Sequence, residues 1–390
     1  MASGRKKEQQ LHTSITFSQV DFWLLLSVVL LLGIGTMMIF SASTATSYAK
    51  TSSSTAYDVL KKQIVYALAG IALMFIVSFV DYKVVSRFSL LMFLGSLGLL
   101  LLVFSPLGRT YNNARRWLKL GIEFQPSEVL KLTVVFFLAW IFSSPKIREK
   151  SIRLWGILLY VGPIALSLVM LALQPHISCV LIIVAITAAM MFAAKVKWPT
   201  FVVCVAAVGL MVFGLYLFTR SSDTLSFEYI KNRVLAHSGS TDADSADTYQ
   251  ATQSLYAIGS GGLFGRGFGK SVQKYLYLPE PYNDFIFSIL AEELGFGGVL
   301  LVIVLFTILL LRGYKISRSA PDLNGSLIAY GITTNVGIQV VLNLAVVSGL
   351  MPVTGISLPF FSYGGTSLWI MMVSMGVLLN ISKQSKYPKF

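Results

Sequence analysis

Charge is what this sequence has least of. Only 12% of its 390 residues are Asp, Glu, Lys or Arg, against 55% hydrophobic. A water-soluble domain of this length cannot cover its surface with so few charges, so a soluble fold is excluded. Thiols are scarce too. Cys179 and Cys204 both fall in apolar runs, which leaves two small core residues and no disulfide framework. Histidine numbers three, and His176, in the turn Gln174-Pro-His176, has no evident ligand set around it; a polar turn residue is the simpler reading. The period-two alternation of a membrane strand is also missing, which excludes a transmembrane β-barrel.

What the sequence has is apolar runs. Mean hydropathy is +0.73, and runs of about 20 residues recur along the chain, the length that crosses a bilayer as a helix. The expected fold is an all-α polytopic membrane protein with about ten transmembrane helices, near 21–41, 61–80, 87–105, 127–143, 154–173, 177–194, 198–218, 284–312, 324–349 and 361–381. Residues 1–20 form an N-terminal tail, 21–382 one membrane domain and 383–390 a C-terminal tail. The formal charge of +14 does not signal nucleic acid. Its cations concentrate in the loops this topology places inside: Lys83 and Arg87; Lys146, Arg148, Lys150 and Arg153; Lys195 and Lys197; Arg312, Lys315 and Arg318. Both termini are then cytoplasmic, as the excess of Lys and Arg in inner loops requires.

Two outer regions break the pattern. The loop at 109–125 carries Arg109, Arg115, Arg116 and Lys119. The long outer loop at 219–283 has an acidic middle, helix-forming residues near Tyr249–Ile258 and the glycine-rich run Gly259–Gly269, for which close packing against the membrane surface is the better reading than nucleotide binding.

Four groups of residues suggest chemistry. Asp284 sits where this polar loop joins an apolar run, so it is partly desolvated yet reachable from water, a position that suits a proton acceptor and also a helix cap. Arg115 and Arg116 beside Trp117 form a candidate anion site. Glu128 and Lys131, three apart on one helix face, are charges inside a span, and such charges usually face a cavity and mark function. Pro352–Ser367 reads as a bent or re-entrant outer segment able to line a cavity, and Asn335, Gln339 and Asn343 form a polar stripe whose default role is helix packing.

Ala114-Arg-Arg-Trp117, Gln125-Pro-Ser-Glu-Val-Leu-Lys131, Gln253-Ser-Leu-Tyr-Ala-Ile-Gly-Ser-Gly-Gly262, Tyr277-Leu-Pro-Glu-Pro281, Asp284-Phe-Ile-Phe287, Ala291-Glu-Glu-Leu-Gly295, Pro352-Val-Thr-Gly355 and Leu358-Pro-Phe-Phe-Ser-Tyr-Gly-Gly365 together resemble the FtsW/RodA/SpoVE family. The Tyr277–Pro281 wording is nearer its division and sporulation branch. The resemblance implies a peptidoglycan glycosyltransferase of the bacterial cytoplasmic membrane, active at the outer face. It would polymerise lipid II into glycan strands and release undecaprenyl diphosphate, beside a class B penicillin-binding protein and other divisome proteins. It puts Asp284 on the essential aspartate, Glu128 and Lys131 on a charged cavity pair, and Arg116 on the outer-loop arginine. Arg115, Lys274, Glu280 and Ser362 join these as expected substrate contacts. A divalent cation, Mg2+ or Mn2+, is the one cofactor such chemistry could use. One departure stands out: the family often has Gln-Pro-Asp where this chain has Gln174-Pro-His176. Two other functions stay open, a lipid II flippase and a scaffold without chemistry. The clustering of ionisable groups at one face argues against the first, and Asp284 in its Pro-Glu-Pro-x-x-Asp setting against the second.

Overall fold

The computed structural model describes residues 20–49, 56–111, 114–120, 122–145, 154–196, 246–275, 277–279 and 281–385, with a few positions between 198 and 209. The helices are α1 (Phe22–Ala49), α2 (Ala56–Phe79), α3 (Tyr82–Arg87), α4 (Ser89–Leu102), α5 (Pro126–Ser143), α6 (Leu154–Leu173), α7 (Ile177–Ala193), α8 (Ala246–Gly261), α9 (Ile286–Ser319), α10 (Leu323–Val347) and α11 (Gly365–Lys383). By length and composition α1, α2, α5, α9, α10 and α11 can cross a membrane, and α4, α7 and the Val161–Leu173 part of α6 are shorter apolar helices. Most of the expected span at 198–218, Cys204 included, lies outside the described residues.

Helix α5 is the centre of the bundle. Almost every residue from Pro126 to Phe142 is buried, because α4, α7, α10 and α11 surround it. Its start is set by Pro126, whose fixed φ suits a first turn and whose missing N–H costs nothing there. At the opposite end of the bundle, acidic side chains start helices. Asp21 accepts from Leu24 N at 3.0 Å, Asp81 from Lys83 N at 2.9 Å and Asp322 from Gly325 N at 2.7 Å. Arg312 forks onto Asp21, with its closest contact 2.7 Å, and so ties α9 to the start of α1.

Three features differ from the sequence expectation. The region around 109–124 is a small antiparallel sheet of order β1-β2-β3, formed by β1 (Gly108–Tyr111), β2 (Ala114–Leu120) and β3 (Ile122–Phe124), where a plain loop was expected. Helix α9 is not one continuous span: Gly295 has φ 66° and ψ −165°, so Ile286–Leu294 is a short, largely buried helix set off from the membrane-crossing part. The glycine-rich run packs on that bend. Backbone crosses backbone there, since a Cβ on Gly295 would lie 2.2 Å from Gly265 N. Arg266 N and Gly267 N cap the carbonyls of Glu292 and Glu293 at 2.9 and 3.0 Å. The loop's partner is thus a helix end. The helix expected near Tyr249–Ile258 is α8, pinned by the Ser254 hydroxyl to Ser288 and to the Val347 carbonyl, both at 2.7 Å.

The segment between α10 and α11 is re-entrant. Phe360 and Phe361 pack against Phe306 of α9, and the Phe360 carbonyl comes so close to Gly35 of α1 that a Cβ there would sit 2.4 Å away. Irregular backbone at this depth needs internal partners. Ser362 Oγ accepts from Leu358 N at 2.8 Å, Asn343 donates to Ile356 O at 2.7 Å, and the Ser178 hydroxyl donates to Thr354 O.

A glycine lets α2 and α11 approach closely, since a Cβ on Gly376 would lie 2.5 Å from the Met74 carbonyl oxygen. Gly376→Ala must push the two backbones apart. It should lower thermal stability in detergent, with a cost of about 1–3 kcal/mol, read as an earlier melting transition than the parent's.

Candidate active site

Asp284 lies between the long outer loop and the buried start of α9, and it is half-buried. It stands one residue before the N-cap position of that helix. That position is Phe285, whose side chain makes no cap hydrogen bond. The loop around it is instead held through its main chain. Asn343 Nδ2 donates to the Asp284 carbonyl at 2.9 Å, the Ser362 hydroxyl to the Asn283 carbonyl at 2.8 Å, and Tyr363 N to the Tyr282 carbonyl at 3.0 Å. Gly355 faces the carboxylate: a Cβ there would be 3.3 Å from Asp284 Oδ2, and its φ of 67° favours glycine for a second reason. Holding the backbone this way fixes where the carboxylate emerges.

The charged pair inside α5 is present. Lys131 Nζ and Glu128 Oε1 are 2.8 Å apart with both side chains at most 10% exposed, and Lys131 also donates to Gln339 Oε1 at 2.9 Å. Gln339 in turn donates to Asn335 Oδ1 at 2.9 Å. The polar stripe of α10 is therefore more than packing glue. One turn beyond Gln339, Asn343 grips Asp284's own carbonyl, so a single helix face joins the buried ion pair to the carboxylate loop. Glu128, Gln339, Ser362 and Ser367 line one cavity with the re-entrant segment.

The two arginines do not form one anion site. Neighbours on a strand point to opposite faces. Arg115 turns to its own hairpin and bonds the Ser105 carbonyl. Arg116 turns to the α6–α7 turn, bonding the carbonyls of Gln174, at 3.4 Å, and Pro175. That turn carries His176, which burial, with Arg116 and Lys131 adding, holds well below the usual imidazole range and so neutral. Of the two, Arg116 is the one whose charge reaches the Lys131 side of the site.

Lys274 is not brought to the cavity. Its ammonium is 1% exposed, 3.0 Å from Glu293, and it also donates to Ser41 Oγ at 3.1 Å and to the Gly269 carbonyl at 2.6 Å. Glu293 further accepts from Ser41 Oγ at 2.6 Å and Gly269 N at 3.0 Å. Beside it Glu292 accepts from Ser271 Oγ at 2.5 Å and Val272 N at 2.9 Å, with Arg266 at 3.5 Å. These two carboxylates, which sequence reasoning passed over, clamp the loop upstream of Asp284 onto the helix downstream of it. The signal was available: two adjacent acids in an apolar window need buried cations or N–H groups. Glu280 lies outside the described residues. Among the described residues no three His, Cys, Asp or Glu side chains gather as a ligand set.

With this geometry in place, comparison with known proteins is direct. The FtsW/RodA/SpoVE cell cycle protein family model matches residues 22–387. Stage V sporulation protein E of Bacillus subtilis (strain 168) is 40% identical over 370 residues, covering 94% of this chain and 98% of that protein. A probable peptidoglycan glycosyltransferase FtsW of Geobacter sulfurreducens is 35% identical over 368 residues, 94% and 96% of the two chains. Among solved structures, a chain from work on the structural coordination of polymerization and crosslinking by a peptidoglycan synthase complex superposes with a TM-score of 0.71 at 26% identity, over 93% of this chain and 97% of that one.

Two outcomes test the site's construction. Lys274→Met strands a buried carboxylate and should cost about 3–5 kcal/mol, whereas adding Glu293→Gln to it should restore part of that loss, read as melting temperatures in a double-mutant cycle. Asn343→Leu frees the Asp284 carbonyl; it should lower kcat about tenfold or more while the far end of the bundle, followed by hydrogen exchange around Asp21–Arg312, stays protected.

Proposed function

The chain belongs to the FtsW/RodA/SpoVE family, and from that premise we propose that it is a peptidoglycan glycosyltransferase, which polymerises lipid II into glycan strands and releases undecaprenyl diphosphate. It is a multi-pass membrane protein, and we place its reaction at the outer face of the cytoplasmic membrane. The cation-bearing loops with Lys83, Arg87, Arg312, Lys315 and Arg318 support that orientation.

Asp284 carries the reading, as a half-buried carboxylate whose backbone is fixed by Asn343, one helical turn from the Gln339 that lines the cavity with Glu128. The donor sugar already bears a good leaving group, diphosphate. The reaction then needs a proton acceptor for the incoming sugar hydroxyl and positive charge for the departing oxygens. In our assignment Asp284 takes the hydroxyl proton as that oxygen bonds to the anomeric carbon. The bond from that carbon to the diphosphate oxygen breaks, and the electron pair leaves with the diphosphate. A single displacement inverts the anomeric centre, so no second carboxylate acts as nucleophile. Glu128 then serves to hold Lys131. Lys131 and Arg116 supply the positive field, while Arg115 and Lys274, committed elsewhere, support the fold. No step is routed through a cation.

A class B penicillin-binding protein is the proposed partner, cross-linking the strand as it emerges. The likeness to a chain studied within a peptidoglycan synthase complex supports this pairing.

The decisive measurement is lipid II polymerisation by the purified chain with its cognate penicillin-binding protein. Asp284→Asn should abolish polymer while its melting temperature matches the parent. Equal polymer from both would make this chain a scaffold, and lipid II crossing vesicles with no polymer would make it a flippase.

A further inference from the structure

Leu263 and Phe264, side by side on the glycine-rich loop, are 68% and 91% exposed, and Phe264 is the most exposed large apolar side chain among the described residues. An exposed apolar cluster ordinarily marks a surface that something covers. The backbone that carries this tip is firmly placed. Phe296 N donates to the Gly262 carbonyl at 2.9 Å and Gly297 N to the Leu263 carbonyl at 3.2 Å, so the tip is tied to the bend in α9. The residues that follow, Phe264-Gly-Arg-Gly-Phe-Gly-Lys270, have glycine at every second position. Gly265, Gly267 and Gly269 have φ of 76°, 100° and 78°, a region that favours glycine. The loop can thus turn tightly while Phe264, Arg266, Phe268 and Lys270 all remain exposed.

The bend also sets the height of the tip. Beyond Gly295, α9 is the membrane-crossing part, and its Phe296 and Leu300 are 57% and 50% exposed. Lys315, near its other end, is exposed and belongs with the inner headgroups. At the helical rise, Phe296 to Lys315 measures about 28 Å, against about 30 Å for a hydrocarbon layer. Phe296 therefore stands at the outer edge of the hydrocarbon, and the tip bonded to it stands at the same level. We propose that Leu263 and Phe264 form a wedge seated in the outer leaflet of the bilayer, at the boundary between acyl chains and headgroups. Phospholipid is the occupant because the apolar surface of the tip continues the face of α9 that already meets lipid. The cations agree: Arg266 and Lys270 alternate with Phe264 and Phe268, a composition suited to a layer that is apolar below and carries phosphates above. A bilayer can close around so tight a turn, whereas a folded partner would need a matching pocket. The wedge holds to the membrane the same loop that Glu292 and Glu293 hold to α9. The inference needs only a membrane-crossing α9 and is independent of the proposed chemistry.

The test puts a fluorescent thiol label on Phe264→Cys in the full chain, reconstituted into vesicles of phosphatidylethanolamine and phosphatidylglycerol. Part of the lipid carries bromine, a contact quencher, either near the headgroup or at the chain ends. Two labelled references are used: Val304→Cys, about 12 Å along α9 from Phe296, and Thr110→Cys, exposed on β1. The unsubstituted chain, treated alike, is the blank for Cys179 and Cys204. Headgroup-proximal bromine should quench the label at 264 several-fold more than the label at 110, and more than chain-end bromine does. The label at 304 should show the opposite order of the two bromine positions. Quenching at 264 no greater than at 110 overturns the inference, because the tip then stands in water. Stronger quenching at 264 by chain-end bromine overturns it too, since the tip is then not at the boundary. The measurement is repeated with the purified penicillin-binding protein added. Quenching that persists keeps the lipid as occupant, and quenching that disappears overturns the inference in favour of a protein contact. Should the Phe264 variant fail to fold, a label on Leu263→Cys gives the same comparison.

Discussion

An ammonium and a carboxylate kept inside an apolar bundle must satisfy each other and find further partners, and the rest of this structure is arranged around that demand. Lys131 and Glu128 stand 2.8 Å apart on α5, the most enclosed helix of the bundle. Neither could remain charged in hydrocarbon alone. Gln339 completes the coordination of the lysine, and this obliges α10 to turn its polar stripe inward. Once that face points in, Asn343 is carried to the carboxylate loop one turn away. The position of Asp284 therefore follows from the need to keep a lysine buried.

The same rule governs the irregular segments. The stretch before α11 descends among α1, α9 and α10 without being a helix, and it is tolerated because Ser178, Asn343 and Ser362 satisfy its backbone. The clamp of Glu292, Glu293 and Lys274 does the equivalent for the glycine-rich loop, using carboxylates as acceptors for successive backbone N–H groups. Polar side chains, most of them from neighbouring helices and Ser362 from the segment itself, stand in for the missing helical ladder. Side chains of this kind are easily mistaken for substrate ligands, because burial and polarity are what both roles share. Ser362 shows the overlap: its hydroxyl bridges two loops and also lines the cavity.

The spans were legible because hydropathy over about 20 residues reports them directly. The Lys131–Glu128 pair was legible because its members are three apart on one helix. What escaped needed tertiary information. Lys274 and Glu293 are separated by 19 residues, and nothing local says that they meet. The bend at Gly295 hides inside an apolar run, since one glycine does not interrupt a hydropathy window. The short sheet was masked by its charges: Ala114 and Leu118 alternate inward on β2, but Arg115, Arg116 and Lys119 drew attention to charge and away from period. That alternation also separates Arg115 from Arg116, which a reading by adjacency had joined.

The bend in α9 has a mechanical meaning. A helix that crosses a bilayer tilts when the hydrocarbon layer thickens or thins around it. The part of α9 beyond Gly295 exposes Phe296, Leu300, Leu301 and Val304 and must follow such changes, whereas Ile286–Leu294 is enclosed on its other side by the clamp. The break divides α9 into a lipid-exposed part and an enclosed part held by α8 and the clamp. Asp284 is attached to the enclosed part, so the bend at Gly295 stands between the carboxylate and the face that meets lipid.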